Sequence, residues 1–239
     1  MQQFSLSANI EEGLGKGFKY IVTPNARDVA AGLINGYRSG IHSFTVIGSY
    51  GTGKSSFLLA LEKNLLGDDS VNLLNPHTLS TNGKFEVLKM VGDYKDLASL
   101  MRDKLQIDGP ETNVLDNLRE IYGRVKKQGK FLVILIDVFG KVLEHAAKKN
   151  PEQELYFMQK LAEFVNVTTR QILLITTLHQ NFSSYARKLT DVQKEEWTKV
   201  KGRFKELVFV EPVEQLLYLA SKQLQSRNLK VEEYKNLTE

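Results

Sequence analysis

An α/β fold built on a mainly parallel sheet is the architecture this sequence predicts, and three observations carry it. Residues 131–136 (Phe-Leu-Val-Ile-Leu-Ile) form an unbroken apolar run ending on Asp137, the pattern of a strand buried on both faces. Residues 43–47 and 172–176 are two further short apolar runs of the same kind. Between them lie stretches whose apolar residues recur at helical spacing, so strands alternate with helices along the chain.

Each element follows from local chemistry. Residues 12–19, with Gly13, Gly15 and Gly17 alternating, are expected to be irregular. Asn25 is placed to cap a helix over 25–37, with Val29, Leu33, Ile34 and Tyr37 on one face and Gly40 ending it. The strand at 43–47 runs into a glycine turn and a helix over 54–66, broken by Gly67, Asp68 and Asp69. Residues 71–74 are expected to form a second strand, and 85–91 an element of open type. Residues 97–105 and 114–125 read as helices separated by Asp108-Gly109-Pro110. After the 131–136 strand come helices at 141–149 and 152–165, with Pro151 in the first turn of the second. A strand at 172–176, helical stretches within 185–205, a short strand at 207–210 and a helix over 213–224 complete the pattern.

Composition narrows the function classes. The chain has 239 residues, 42% of them apolar and 25% charged, enough to bury a core. A net charge of +4 from 32 basic and 28 acidic side chains is too small to diagnose a nucleic-acid binder. The absence of cysteine excludes disulfide scaffolds, cysteine–zinc sites, iron–sulfur clusters and thiol catalysis. The longest apolar run is strand-sized, and residues 1–10 carry neither a basic cluster nor an apolar stretch. The expectation is a cytoplasmic protein with no membrane partner.

The chemistry concentrates at one motif. Gly48-Ser49-Tyr50-Gly51-Thr52-Gly53-Lys54-Ser55 fits G-x-x-x-x-G-K-[ST], after an apolar strand and before a helix, with Ser56 following. The glycines allow consecutive N–H groups to point into one concavity, and the opening helix adds its positive dipole end. Lys54 is expected to reach the β- and γ-phosphates of ATP, and the Ser55 hydroxyl to ligate Mg²⁺. Asp137, at the end of the apolar strand, is the candidate to hold that Mg²⁺ through water. Val138 follows it, and valine can neither accept a proton nor orient a water. Glu144, seven residues on, is the candidate substitute acid. The strand at 172–176 turns polar at its carboxyl end, where Thr177, or Thr176, is placed to sense the γ-phosphate, with His179 and Gln180 as further donors.

Farther on, Arg203-Phe204 precedes the last strand, Pro212 and another helix. Phosphate loop, acidic strand end, polar sensor strand and this Arg-Phe segment, in that order from Ile21 to Leu224, resemble AAA+ ATPases and their STAND relatives. The resemblance implies a three-layer P-loop NTPase fold of the additional-strand type, with residues 1–24 as an N-terminal segment, 25–212 as the core and 213–239 as the start of a truncated helical lid or linker. It also implies an adenine pocket at Tyr20 and Ile21, and Arg203 acting as an arginine finger on a neighbouring subunit's γ-phosphate. ATP-bridged interfaces in a homo-oligomer or a larger multidomain complex follow from that. The stretch from Asp137 to Gln180 is further similar to ATPase domains of large prokaryotic proteins, some linked to defence against mobile DNA. Those carry Glu where Val138 stands.

Three function classes stay open. One is a hydrolysing ATPase that drives assembly or remodels a partner, the second a nucleotide switch with little turnover, and the third a nucleotide kinase, disfavoured because no arginine-rich lid segment is present. Residues 187–205 carry seven basic and three acidic residues with Trp197 interleaved, which leaves DNA as a candidate partner. His42, His77, His145 and His179 show no metal spacing. The polar stretch at 225–239 suggests the ATP-binding core of a longer protein.

Overall fold

The computed structural model describes residues 9–12, 20–107, 113–212, 214–215, 217 and 221. Residues to Phe209 make one compact unit and those from Val210 another. Everything below concerns the first. Most of the expected helix at 213–224, and most of 12–19 and 213–239, lie outside the described residues.

Five strands, β1 (Ser43–Ile47), β2 (Phe85–Val91), β3 (Phe131–Asp137), β4 (Ile172–Leu178) and β5 (Lys205–Val208), form one sheet in the order β2-β3-β4-β1-β5. Every neighbouring pair is parallel. β4 is therefore the additional strand, inserted between β1, which feeds the phosphate loop, and β3, which ends on Asp137. The α/β class and the mainly parallel sheet are as the sequence predicts.

The period-two geometry of a strand divides the core cleanly. Phe131, Val133 and Leu135 of β3, with Leu173 and Ile175 of β4, pack on one face with α1 (Pro24–Arg38) and α2 (Lys54–Leu65). Leu132, Ile134 and Ile136, with Ile172 and Leu174, pack on the other face with α3 (Leu97–Leu105), α4 (Val114–Lys127), α5 (Gly140–Lys148), α6 (Pro151–Val165) and α7 (Asp191–Lys201). All seven residues of β3 are buried. Each such apolar side chain contributes on the order of 1.5–3 kcal/mol, so β3 is the strand on which both layers depend.

Several expectations need correction. Thr23, not Asn25, caps α1: its hydroxyl accepts the Ala26 N–H at 3.1 Å, and Pro24 takes the first helical position, where its missing N–H costs nothing. Residues 71–74 form no strand. Val71, Leu73 and Leu74 are buried, but the Leu74 N–H is taken by Asn64 Oδ1 at 2.8 Å and no strand lies alongside. Residues 85–91 are edge strand β2, and the last strand is Lys205–Val208 rather than 207–210. The helical region 185–205 resolves into a 3₁₀ turn (Phe182–Ala186) and α7, which opens on a capping box between Thr190 and Gln193.

At the amino edge of the sheet, Asn166 ties three segments together. Its Oδ1 accepts the His42 N–H at 2.8 Å, and its Nδ2 donates to the Arg203 carbonyl at 3.0 Å. The buried His42 ring donates from Nδ1 to the Val165 carbonyl at 3.1 Å, and burial pushes its pKa below the ordinary 6.5. The unfolded chain then binds a proton that the folded one refuses. Stability is full above about pH 6.5 and falls as pH drops from there toward the folded-state value. We expect the thermal midpoint of the wild type to decline below pH 6.5, and that of His42→Gln to decline less steeply; parallel slopes would contradict the assignment.

Candidate functional site

The phosphate loop is shaped by two glycines for different reasons. Gly53 has φ +95°, a left-handed conformation that turns the chain into α2. Gly48 is required by close approach: a Cβ there would lie 2.2 Å from the Phe209 carbonyl oxygen, because the chain after β5 bonds back to β1 through Phe209 N–H to Ile47 O at 2.6 Å. Thr52 Oγ1 donates to the Ser49 carbonyl at 2.9 Å and braces the loop. Lys54 folds over it and donates to the carbonyls of Gly48, at 2.5 Å, and Ser49, at 2.7 Å. Burial lowers the pKa of this ammonium, and the charge of Asp137 opposes that shift.

At the ends of β3 and β4 a second knot forms. Asp137, 3% exposed, accepts the Thr177 hydroxyl on Oδ1 at 2.5 Å, and the Val138 N–H is shared between that oxygen (3.0 Å) and Thr177 Oγ1 (2.9 Å). Thr177 has one hydroxyl proton, and Asp137 takes it. Thr176 points into the sheet, bonded to Thr45 Oγ1 at 3.0 Å and the Phe44 carbonyl at 3.2 Å. Val138 has φ +54°, an unusual conformation for a β-branched residue.

A cleft of about 540 Å³ opens between the loop and the strand ends. The loop contributes Tyr50, Gly51, Gly53, Lys54, Ser55 and Ser56 to its wall; Gly48, Ser49 and Thr52 are not part of the lining. Asp137, Val138 and Thr177 form the wall opposite, with His179 beyond them. The structure thus brings together Lys54, Ser55, Asp137 and Thr177. It does not bring in Tyr20 or Ile21: Tyr20 packs against the core on the α1 and α2 face, and neither lines the cleft. Glu144 lies one turn along α5, where its charge is felt by the Tyr185 phenol, and it too is absent from the lining.

Arg203 lies at the opposite, amino edge of the sheet, just before β5. It is ion-paired to Glu163 at 2.8 Å and donates to the Lys199 carbonyl at 2.9 Å. Hydrogen bonds from Gln159, Lys160 and Arg203 hold the Glu163 carboxyl down to about 2.

Residues 9–12 and Tyr185 carry no sequence signal, and nothing in the sequence shows that Tyr50 and His179, each a candidate on its own, meet. Residues 9–12 reach the cleft: Asn9 lines it, Ile10 is fully buried, and Glu11 accepts the Val91 N–H at 3.0 Å while pairing with Lys104 at 2.7 Å. Tyr50 and Tyr185 meet on His179, from positions 129 and 6 residues away. Among the described residues no helix is long and apolar enough to cross a membrane, and no group of three or more His, Asp or Glu could hold a metal ion.

No protein-family model matches the chain, and no curated protein does. Among solved structures, the chain is similar to the ORC2 protein of Aeropyrum pernix in its ADP form, with 17% identity over 93% of this chain and 57% of that one and a TM-score of 0.56. It is also similar to the same protein in its ADPNP–ADP complexes, with 15% identity over 83% of this chain and 51% of that one and a TM-score of 0.53. The chain spans little more than half the length of these relatives. The likeness is one of fold.

The backbone at Val138 yields a direct test. A left-handed β-branched residue costs roughly 1–2 kcal/mol, a strain that asparagine, tolerant of this conformation, largely avoids. Val138→Asn is expected to stabilise the fold by about 1 kcal/mol, or about 2–4 °C in thermal midpoint. An unchanged or lower midpoint in thermal unfolding would contradict the strain.

Proposed function

We propose that the chain binds Mg-ATP as an AAA+-type switch, in which nucleotide binding rather than rapid hydrolysis is the output. The observation that carries this reading is that Asp137 is the sole carboxylate lining the cleft among the described residues, with Val138 at the next position.

The residues suit the ligand. The loop and the first turn of α2 offer N–H groups and a positive dipole end to the phosphates. Lys54 is a half-buried cation that lines the same space. The Ser55 hydroxyl and the Asp137 carboxylate both line the cleft, and both protein contacts of Asp137 fall on Oδ1. Hard oxygen donors of this kind suit Mg²⁺, which keeps several waters and phosphate oxygens. Bound there, the ion would neutralise charge on the β- and γ-phosphates. The ADP and ADPNP complexes of the Aeropyrum pernix protein support nucleotide as the ligand. Orienting an attacking water calls for a base; Val138 cannot serve, and Glu144 is not among the residues lining the cleft.

Coupling to self-association is a second part of the reading, favoured by the place of Arg203. From the amino edge of the sheet it cannot serve its own cleft, but it can face another copy's phosphate once released from Glu163. Contact with DNA through the basic stretch has weaker support, because Lys194, Lys199 and Arg203 are each paired with a carboxylate.

Calorimetry with ATP and Mg²⁺ should show binding by the wild type, with affinity reduced at least tenfold in Lys54→Ala. Phosphate release by the wild type should stay near background and rise in Val138→Glu; vigorous turnover by the wild type would overturn the switch. For assembly, ATP-dependent association in analytical ultracentrifugation should weaken in Arg203→Ala and strengthen in Glu163→Gln. Equal sedimentation of all three proteins with and without ATP would remove Arg203 from that role.

A further inference from the structure

The sensing position in the cleft is not filled as the strand pattern suggests. Thr177 gives its only hydroxyl proton to Asp137 and receives the Val138 N–H, so its hydrogen bonds close on the protein itself. Two residues on, His179 also lines the cleft, and its ring is held with unusual care. Its Nδ1 has the Tyr185 hydroxyl at 3.0 Å and the Tyr50 hydroxyl at 3.2 Å. The Tyr50 ring stacks on the imidazole at 4.7 Å and 20°, and the Tyr185 ring meets it edge-on at 5.5 Å. Burial pushes the Tyr185 phenol well above its ordinary value, so it keeps a proton to donate.

Nδ1 has one lone pair and takes one hydroxyl proton; with Tyr185, the nearer hydroxyl at 3.0 Å, as that donor, the ring proton sits on Nε2 and the Tyr50 hydroxyl is a second neighbour at 3.2 Å. Nε2 has no protein partner among the described residues. The arrangement is built rather than incidental. A Cβ on residue 140 would lie 2.4 Å from the Tyr185 hydroxyl oxygen and 3.3 Å from His179 Cε1, so the cluster fits only because Gly140 opens α5. Tyr50, 77% exposed and in the phosphate loop itself, joins that loop to the end of β4 through this ring.

We infer that His179, rather than Thr177, is the residue that distinguishes a nucleoside triphosphate from a diphosphate, its Nε2–H donating to the terminal phosphate while Tyr185 fixes the tautomer and Tyr50 stacks on the ring. The inference rests on the nucleotide-binding reading above. His179 makes the contact, and the two tyrosines are positioning residues. Because Tyr50 belongs to the loop, the same contact reports the terminal phosphate to both walls of the cleft.

The test is a comparison of ADPNP and ADP affinities, each with Mg²⁺, by calorimetry. Wild type is expected to prefer ADPNP. His179→Ala should lose roughly tenfold in ADPNP affinity with ADP affinity unchanged, the scale of one hydrogen bond to a charged group. His179→Gln, whose amide nitrogen falls near the place of Nε2, should recover part of the loss. Tyr185→Phe should reduce the preference by about twofold to fivefold, since Nδ1 is then free to take the proton. Equal losses for both nucleotides in His179→Ala, or an unchanged preference, would overturn the inference while leaving nucleotide binding intact. Failure of the wild type to bind either nucleotide would overturn both.

Discussion

One hydroxyl joins the two strand ends on which the site is built. Thr177 Oγ1 bonds to the Asp137 carboxylate and accepts the Val138 N–H, so the ends of β4 and β3 are fixed relative to one another at the point where the sheet opens. The insertion of β4 between β1 and β3 makes this possible. With β1 and β3 adjacent, no third strand would deliver a side chain between the phosphate loop and the acid. The positioning of Asp137, the strained turn at Val138 and the projection of His179 all descend from that crossing.

The remainder of the fold keeps this edge stiff. β3 is buried along its whole length and carries alternate side chains into two separate apolar layers, so it cannot shift register without exposing both. β2, the edge strand, is half-buried and stitched by charge, with Lys89 paired to Glu62 and Lys130 to Glu86. At the far edge, Asn166 and His42 tie the start of β1 to α6 and to the turn before β5. The two edges thus differ in kind: one is closed by its own hydrogen bonds, the other presents side chains to a cleft.

How much of this was legible in the sequence depended on how local each signal is. The phosphate loop, the 131–136 run and α3 over 97–105 are contiguous patterns, and they appear where the sequence places them. β2 stayed open because Glu86 and Lys89 interrupt its apolar pattern, and both find ion partners only in the folded sheet. The 71–74 segment misled because burial alone resembles strand character, while its backbone partner, Asn64, lies on α2. The cap at Thr23 was recoverable, since proline at 24 points to the residue before it. The pairings within the site were out of reach, even where the residues themselves were candidates. Tyr50 and His179 are 129 residues apart, Glu163 and Arg203 are 40 apart, and nothing in Asn9-Ile10-Glu11 announces a cleft wall.

The contacts of Lys54 have a consequence for how such a site behaves. Its ammonium is already engaged by the Gly48 and Ser49 carbonyls, so any phosphate that recruits it displaces two internal competitors. The contribution of Lys54 to holding a phosphate is therefore a difference between two sets of hydrogen bonds. A departing ligand leaves the cation with carbonyl partners ready to receive it. The loop's own backbone thus keeps the cation partnered when no ligand is bound.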